Sequence, residues 1–310
     1  MSIFYSLFAL IFGLLSVITN GLSGVLLYQN RSLTFGSPII YYFVTLTCLY
    51  FVKGTMTVCW SISVLTSSSH QHLFFRIGQC AYWTTALALF LVLLAMTLER
   101  YINTVTLKRF QWLRARKTVY IYFCLIIVVF SLICGQLVAL EDTGPYVEFV
   151  ICLVAELTYI LTVIIFVRLW LKQNERERQN IRQREAVQIR PKHKHELLSP
   201  KRLSIVVLCY ILGTLVTVLP FFVAYQAKLV SKLFYDKKDE DGHLMKLLEV
   251  YSMFTCLNYS LTPLFYFFAL PRFKKSLYLL LSCQNLRRSP LDGSIVTQES
   301  EETTSGGEMV

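Results

Sequence analysis

Apolar positions along the chain come in solid blocks separated by short polar stretches. Seven blocks stand out: Ile3–Tyr28, Ile39–Thr66, Ile77–Leu98, Val119–Leu140, Tyr146–Trp170, Leu203–Ala227 and Leu247–Leu270. A helix of about 20 apolar residues crosses a bilayer, and every block reaches that length. Lipid offers the backbone no hydrogen-bond partner, so each block is a helix or part of a closed barrel. Barrel strands alternate apolar and polar positions over about ten residues. These blocks do not alternate. The pattern predicts an all-α membrane protein, a seven-transmembrane helix bundle. The first block starts at residue 3 without a basic leader and is longer than a secretion-signal core, so it is expected to stay as a helix.

The polar stretches refine this plan. In "LKQNERERQNIRQREAVQIRPKHKHELLSPKR" the first half has high helix propensity and should extend the fifth helix into water. Pro191 ends that extension and Pro200 precedes the sixth block. After the seventh block, "LPRFKKSLYLLLSCQN" sets basic residues beside an apolar face, the pattern of a short amphipathic helix lying on a membrane. The end, "GSIVTQESEETTSGGEMV", has too little apolar area to fold. The expected organisation is a membrane domain over 1–285 and a disordered tail over 286–310.

Composition fits a bilayer protein. Hydrophobic residues make up 55% and charged residues 16%, with a mean hydropathy of +0.53; soluble chains carry about a quarter charged. The net charge of +11 has no soluble basic domain to sit in, so nucleic acid is not an expected partner. Loops 29–37, 99–118 and 171–202 and the stretch 271–290 hold 22 Lys/Arg in 81 residues, and the alternate loops 67–76, 141–145 and 228–246 hold 6 in 34. Basic residues favour the cytoplasmic side. The N-terminus is therefore expected outside and the tail inside. No internal repeat marks a duplicated transporter.

Several residues carry candidate chemistry. Lys53 and Glu156 fall within apolar blocks, where ionisable groups are costly and mark functional sites. They can pair, or bind a polar ligand group, and Lys53 also has the length to snorkel. Aromatics gather in the expected outer halves: Trp60, Tyr82, Trp83, Phe221, Phe222, Tyr225 and Tyr251. An apolar cavity with few polar groups suits a small molecule, so Lys53, Tyr82, Trp83, Glu156, Phe221, Tyr225 and Tyr251 are the expected ligand contacts. Trp60 and Trp83 fit an interfacial aromatic belt equally well or better. Most of the nine cysteines are packing residues. Cys80 and Cys152, near the outer ends of blocks three and five, are either a disulfide or two thiols. Cys283 has a juxtamembrane setting that suits palmitoylation, or stays unmodified. No hydrolase, kinase or metal motif occurs, so neither an enzyme nor a metal nor a cofactor is expected. Residues 247–270 contain no lysine for covalent retinal.

Block three ends in Glu99–Arg100–Tyr101, and block seven in "TPLFYFFALPRF", with Pro263, Tyr266 and Phe273. Block six holds Pro220 in "VLPFF", and block one holds Asn20. In this order, from residue 3 to about 285, these motifs resemble the rhodopsin-like G-protein-coupled receptors. The chain is a divergent relative by that resemblance, reminiscent of chemosensory, odorant-type receptors. Cys48 stands where the family carries a buried acid in helix two, Thr262 where it carries Asn, and Val218 where it often carries Trp.

The resemblance implies a multi-pass receptor at the plasma membrane. A small, apolar ligand would bind between the outer helix halves, and a heterotrimeric G protein would meet Arg100. Glu99 would neutralise Arg100 at rest, and Pro220, Pro263 and Tyr266 would serve the movement that frees it. Lys201 and Arg202 stand where many members carry a locking acid, which implies appreciable resting activity. Ser300, Thr303 and Thr304 lie among acidic residues, a setting for phosphorylation and an arrestin. The terminal "EMV" resembles a ligand for a PDZ protein. Two other readings stay open: a transporter or channel with a polar path through Lys53 and Glu156, and a receptor-like protein that does not signal.

Overall fold

The computed structural model describes residues 3–29, 39–66, 71–105, 117–139, 144–187, 200–235 and 242–269, together with Tyr278. Every regular element among them is helical: α1 (Ile3–Gln29), α2 (Ile39–Leu65), α3 (Gln71–Val105), α4 (Lys117–Val138), α5 (Gly144–Val187), α6 (Pro200–Thr217), α7 (Leu219–Tyr235) and α8 (Gly242–Ala269). These helices belong to one compact unit, Met1–Leu270; the second unit is Pro271–Val310. The expected amphipathic helix (Tyr278 apart), Cys283, Ser300, Thr303 and Thr304 lie outside the described residues.

Among the described residues, six segments are long and apolar enough to cross a membrane: Ile3–Tyr28, Ile40–Leu65, His72–Thr104, Thr118–Val138, Gly144–Gln179 and Ser204–Leu233. Large apolar side chains such as Ile11, Ile126, Leu157 and Val216 stand exposed on them, as they do where the surrounding solvent is lipid. The protein is a multi-pass, all-helical membrane protein. α5 runs to Val187, so the helical extension read from "KQNERERQ" is present. α3 begins at Gln71 and α7 continues to Tyr235, so parts of two expected loops are helical.

Blocks six and seven depart from the plan in instructive ways. Block six is two helices, parted at Val218. Pro220 has no N–H for the carbonyl four residues back, and its ring crowds that carbonyl. Block seven forms α8, 28 residues long, but α8 is not apolar enough to stand among the six spans. Asn258, Ser260 and Thr262 lower its apolarity, and all three are buried inside the bundle.

The helices close a ring. α1 packs on α2, α2 touches α4, α4 meets α5, α5 meets α6 and α7, those two pack on α8, and α8 returns to α1. α3 runs inside and touches α2, α4, α5 and α6. Its apolar span is 72% buried, against 28% for α2 and for α4. Close approach is bought with small residues. A Cβ on Gly135 of α4 would lie 2.7 Å from the Cys80 carbonyl of α3 and would also strike Thr84 Oγ1. A Cβ on Gly54 of α2 would meet Ser16 of α1 at 3.0 Å.

Pro263 sits inside α8 and leaves the carbonyl of Tyr259 without its helical donor. Asn20 of α1 supplies one: its Nδ2 donates to that carbonyl at 3.1 Å and to the Ser16 carbonyl at 2.8 Å. Thr19 Oγ1 donates to the Ser260 carbonyl at 3.0 Å, and Ser260 Oγ to the Phe12 carbonyl at 2.8 Å. Ser16 Oγ reaches across to the Tyr50 carbonyl of α2 at 3.2 Å. The three helices are thus stitched through their backbones. Cys48 takes no part. It is exposed on the outside of α2, while Thr47 and Tyr50 are buried, and Tyr50 meets the Tyr259 ring at 5.1 Å. The assignment of Cys48 to a buried acid's place is therefore corrected: one residue is a 100° step around a helix, enough to turn a side chain from bundle to lipid.

Gly135→Leu is expected to lower stability by at least about 2 kcal/mol, since the added side chain must push α3 and α4 apart. The melting temperature of the purified, detergent-solubilised protein reports it. Gly78→Ala, with open space at the added Cβ, should leave that temperature almost unchanged.

Candidate functional site

α3 carries one candidate site near each end. A cavity of about 410 Å³ opens at the end of the bundle where α1 begins. Its lining falls on helical stripes at i, i+3, i+4 and i+7. α2 gives Lys53, Met56, Thr57 and Trp60; α3 gives Phe75, Gly78, Gln79, Tyr82 and Trp83. α8 gives Met245, Leu248, Glu249, Ser252, Thr255 and Cys256, and α7 gives Phe221, Tyr225 and Lys228. Tyr5 and Ala9 of α1 complete it.

The rings of this chamber lock one another. Tyr82 meets Trp83 and Phe221 edge-on, each with centroids 5.5 Å apart, and Phe221 stacks on Tyr225 at 5.6 Å. Trp83 leans on Tyr225 at 5.4 Å, and Tyr5 meets Trp60 at 5.9 Å. Trp83 is only 2% exposed, so it is a wall of the bundle and not part of an interfacial belt. Trp60 lines the cavity too.

Lys53 is the buried cation of the chamber, and Lys228 a second, more exposed one. Lys53 is 8% exposed, and its Nζ lies 4.3 Å from the centroid of the Tyr82 ring. Among the described residues no carboxylate lies within ion-pair distance of it and no hydrogen bond leaves its Nζ. A cation over a desolvated ring gains about 2 kcal/mol, whereas burying an ammonium costs several. The ring therefore offsets only part of the cost. The Tyr82 hydroxyl is also buried without a partner.

A second cavity, about 400 Å³, adjoins the first and shares Phe75, Gln79 and Tyr225 with it. His72, Arg76, Glu148 and Lys232 line it. Glu148 is held by Tyr225, whose hydroxyl donates at 2.8 Å, and by Gln79 Nε2 at 3.1 Å. Glu148 and Glu249 stand outside the ligand contacts expected from the sequence. Glu148 is 5% exposed and Glu249 half-buried in the chamber wall. The i, i+3, i+4, i+7 stripe on α8 was the available signal.

Other expected members stand elsewhere. Glu156 faces α7, where the Gln226 amide, turned to donate, reaches its two oxygens at 2.7 and 3.1 Å. It neither pairs with Lys53 nor lines the chamber, and Tyr251 is also outside the lining. Of the two alternatives for Cys80 and Cys152, a disulfide or two thiols, the structure holds two free thiols. The turn of α3 at Cys80 is pressed onto Gly135 of α4, while Cys152 is buried on α5. No cluster of three His, Cys, Asp or Glu side chains converges as a metal site among the described residues.

Between the chamber and the far end of α3 the buried side chains around that helix are largely apolar. Leu87, Leu89, Phe90, Leu93 and Met96 of α3 are fully buried, as are Phe43 and Leu46 of α2 and Phe222 of α7. Beyond them lies the pair Glu99–Arg100. Arg100 Nε donates to Glu99 Oε2 at 2.9 Å, with the side chains 11% and 4% exposed respectively. Asn103, one turn on, donates to the other Glu99 oxygen; the i, i+4 spacing predicts that contact. Tyr101 is half-buried beside them. Pro220 lies in the first turn of α7, Pro263 is buried in α8, and the backbone at Tyr266 is helical.

No family model matches the chain, and no curated protein sequence matches it.

Alkylation of the denatured, unreduced protein is expected to label both Cys80 and Cys152. A disulfide-linked peptide pair in its digest would overturn that assignment.

Proposed function

We propose that the chain is a seven-helix receptor of the plasma membrane, in which α6 and α7 form one broken sixth span and α8 the seventh. A small molecule binds the aromatic chamber from outside, and a heterotrimeric G protein binds the inner end around Arg100. The observation that carries this reading is the content of α3. One buried helix lines the chamber with Tyr82 and Trp83 and holds the Glu99–Arg100 pair about 27 Å further on.

The break at Val218 supplies a way to couple the two. α7 presents Phe221, Tyr225 and Lys228 to the chamber, and α6 runs from the break along α3. A few residues at a break can absorb the change in φ and ψ that swings one half against the other. The ligand shifts the equilibrium only by its difference in affinity between the two arrangements. Opening the inner half lets Arg100 leave Glu99 and meet the partner. The closed ring of helices and the Asn20 bond to the Tyr259 carbonyl support the resemblance to rhodopsin-like receptors. In this reading Cys283 carries a lipid, Ser300, Thr303 and Thr304 are phosphorylated to recruit an arrestin, and "EMV" engages a PDZ protein. The ligand belongs to the chemosensory kind.

The transporter reading has less support. Lys53 and Glu156 do not pair, and Glu156 lies outside the chamber lining.

Nucleotide exchange on a panel of G-protein heterotrimers tests the proposal with the full-length chain in nanodiscs. Wild type is expected to accelerate basal exchange on at least one heterotrimer, and Arg100→Ala to abolish that acceleration. Glu99→Gln, which removes the charge facing Arg100, should raise basal exchange about three- to tenfold, the effect of ~1 kcal/mol on the resting arrangement. Equal exchange in wild type and Arg100→Ala would remove the mechanism and leave the non-signalling reading.

A further inference from the structure

We infer that the chamber selects a small organic anion, a carboxylic acid on an aromatic or branched apolar body, with Lys53 as its anchor. The inference rests on the chamber being a ligand site. It does not require coupling through Arg100.

Three observations carry it. First, the Lys53 ammonium is buried and lines the cavity, and among the described residues it meets the face of Tyr82 and the neighbouring Cys256 thiol but no carboxylate within ion-pair distance. A neutral or cationic ligand leaves that cation uncompensated, and a carboxylate satisfies it with a charge-assisted hydrogen bond. Second, the Tyr82 hydroxyl, in the same lining, is a buried donor without a partner. Two donors and an aromatic wall describe a group of oxygens on an apolar body. Third, the polar cavity next door brings His72, Arg76 and Lys232 to the approach, with Glu148 already held by Tyr225 and Gln79. A mouth with a cationic excess concentrates anions and speeds their entry.

Glu249 is the carboxylate of the lining, beside the second lysine Lys228, and it has no ion pair among the described residues. It divides the acid class in two. A plain acid uses Lys53 alone, while an amino acid also places its ammonium on Glu249.

The test uses the full-length protein in nanodiscs and reads direct binding by the change in tryptophan fluorescence, since Trp60 and Trp83 line the cavity. The probes are 3-phenylpropanoate, its uncharged analogue 3-phenylpropan-1-ol, and phenylalanine. Wild type is expected to bind the acid at least tenfold tighter than the alcohol. Lys53→Met should weaken the acid at least tenfold and leave the alcohol within twofold, which also shows that the variant is folded. Lys53→Arg should keep most of the preference for the acid. Tighter binding of phenylalanine, lost in Glu249→Gln, assigns the amino-acid class; its absence assigns plain acids. Equal binding of acid and alcohol to wild type, acid binding indifferent to Lys53→Met, or no binding of the acid at millimolar concentration overturns the inference. No G protein is present, so failure here is distinct from failure of coupling at Arg100.

Discussion

A backbone carbonyl in lipid cannot be left bare, and the fold turns on how one such carbonyl is satisfied. Pro263 takes the helical donor away from Tyr259, and Asn20 returns one from another helix. An unpaired buried acceptor costs about 1–3 kcal/mol, so α8 needs α1 to be complete. The same logic runs outward through Ser260 to Phe12 and through Ser16 to Tyr50. α8 does not stand among the strongly apolar spans, and these bonds fix it in the ring in place of lipid-facing bulk. Its polar residues are structural connections first, which is why the helix reads as too polar to span and still packs inside the bundle.

That arrangement explains what was legible in the sequence. The six strongly apolar spans follow from composition alone, because a run such as Ile3–Tyr28 has no other way to satisfy its backbone in lipid. The extension of α5 followed from helix propensity beyond the apolar run. Rotation about the helix axis was harder. Cys48 and Thr47 differ by one position and face opposite environments, and only a partner such as Tyr259 decides between them. Solid apolar blocks carry little amphipathic signal, so the inward face of α2 cannot be read by contrast with a polar one. The stripes of α2 and α8 that line the chamber became visible where polar residues, Lys53 and Thr57, or Glu249, Ser252 and Thr255, recur at helical spacing.

The charged pairs failed for a related reason. Lys53 and Glu156 were plausible mates on burial and sign, but pairing depends on which neighbour each helix presents. Glu156 is met by the amide of Gln226, a neutral partner with no distinctive sequence signal. Cys80 and Cys152 likewise shared a level in the bundle, but Gly135 draws the Cys80 turn of α3 against α4. Small residues decide such contacts, and a glycine in an apolar run is silent until its neighbour is known.

Lys53 and Arg100, both largely withdrawn from solvent, show how differently one kind of group can be used. Arg100 has a carboxylate on the adjacent position of its own helix, and that carboxylate is itself held by Asn103. Its charge is answered locally. Lys53 has a ring and a cavity. Its charge is answered only in part, so the missing portion must come from whatever enters. The first device stores a response and the second defines a demand. Lys53 on α2 and Arg100 on α3 stand toward opposite ends of the bundle, with the buried apolar side chains Leu87, Phe90 and Leu93 of α3 between them.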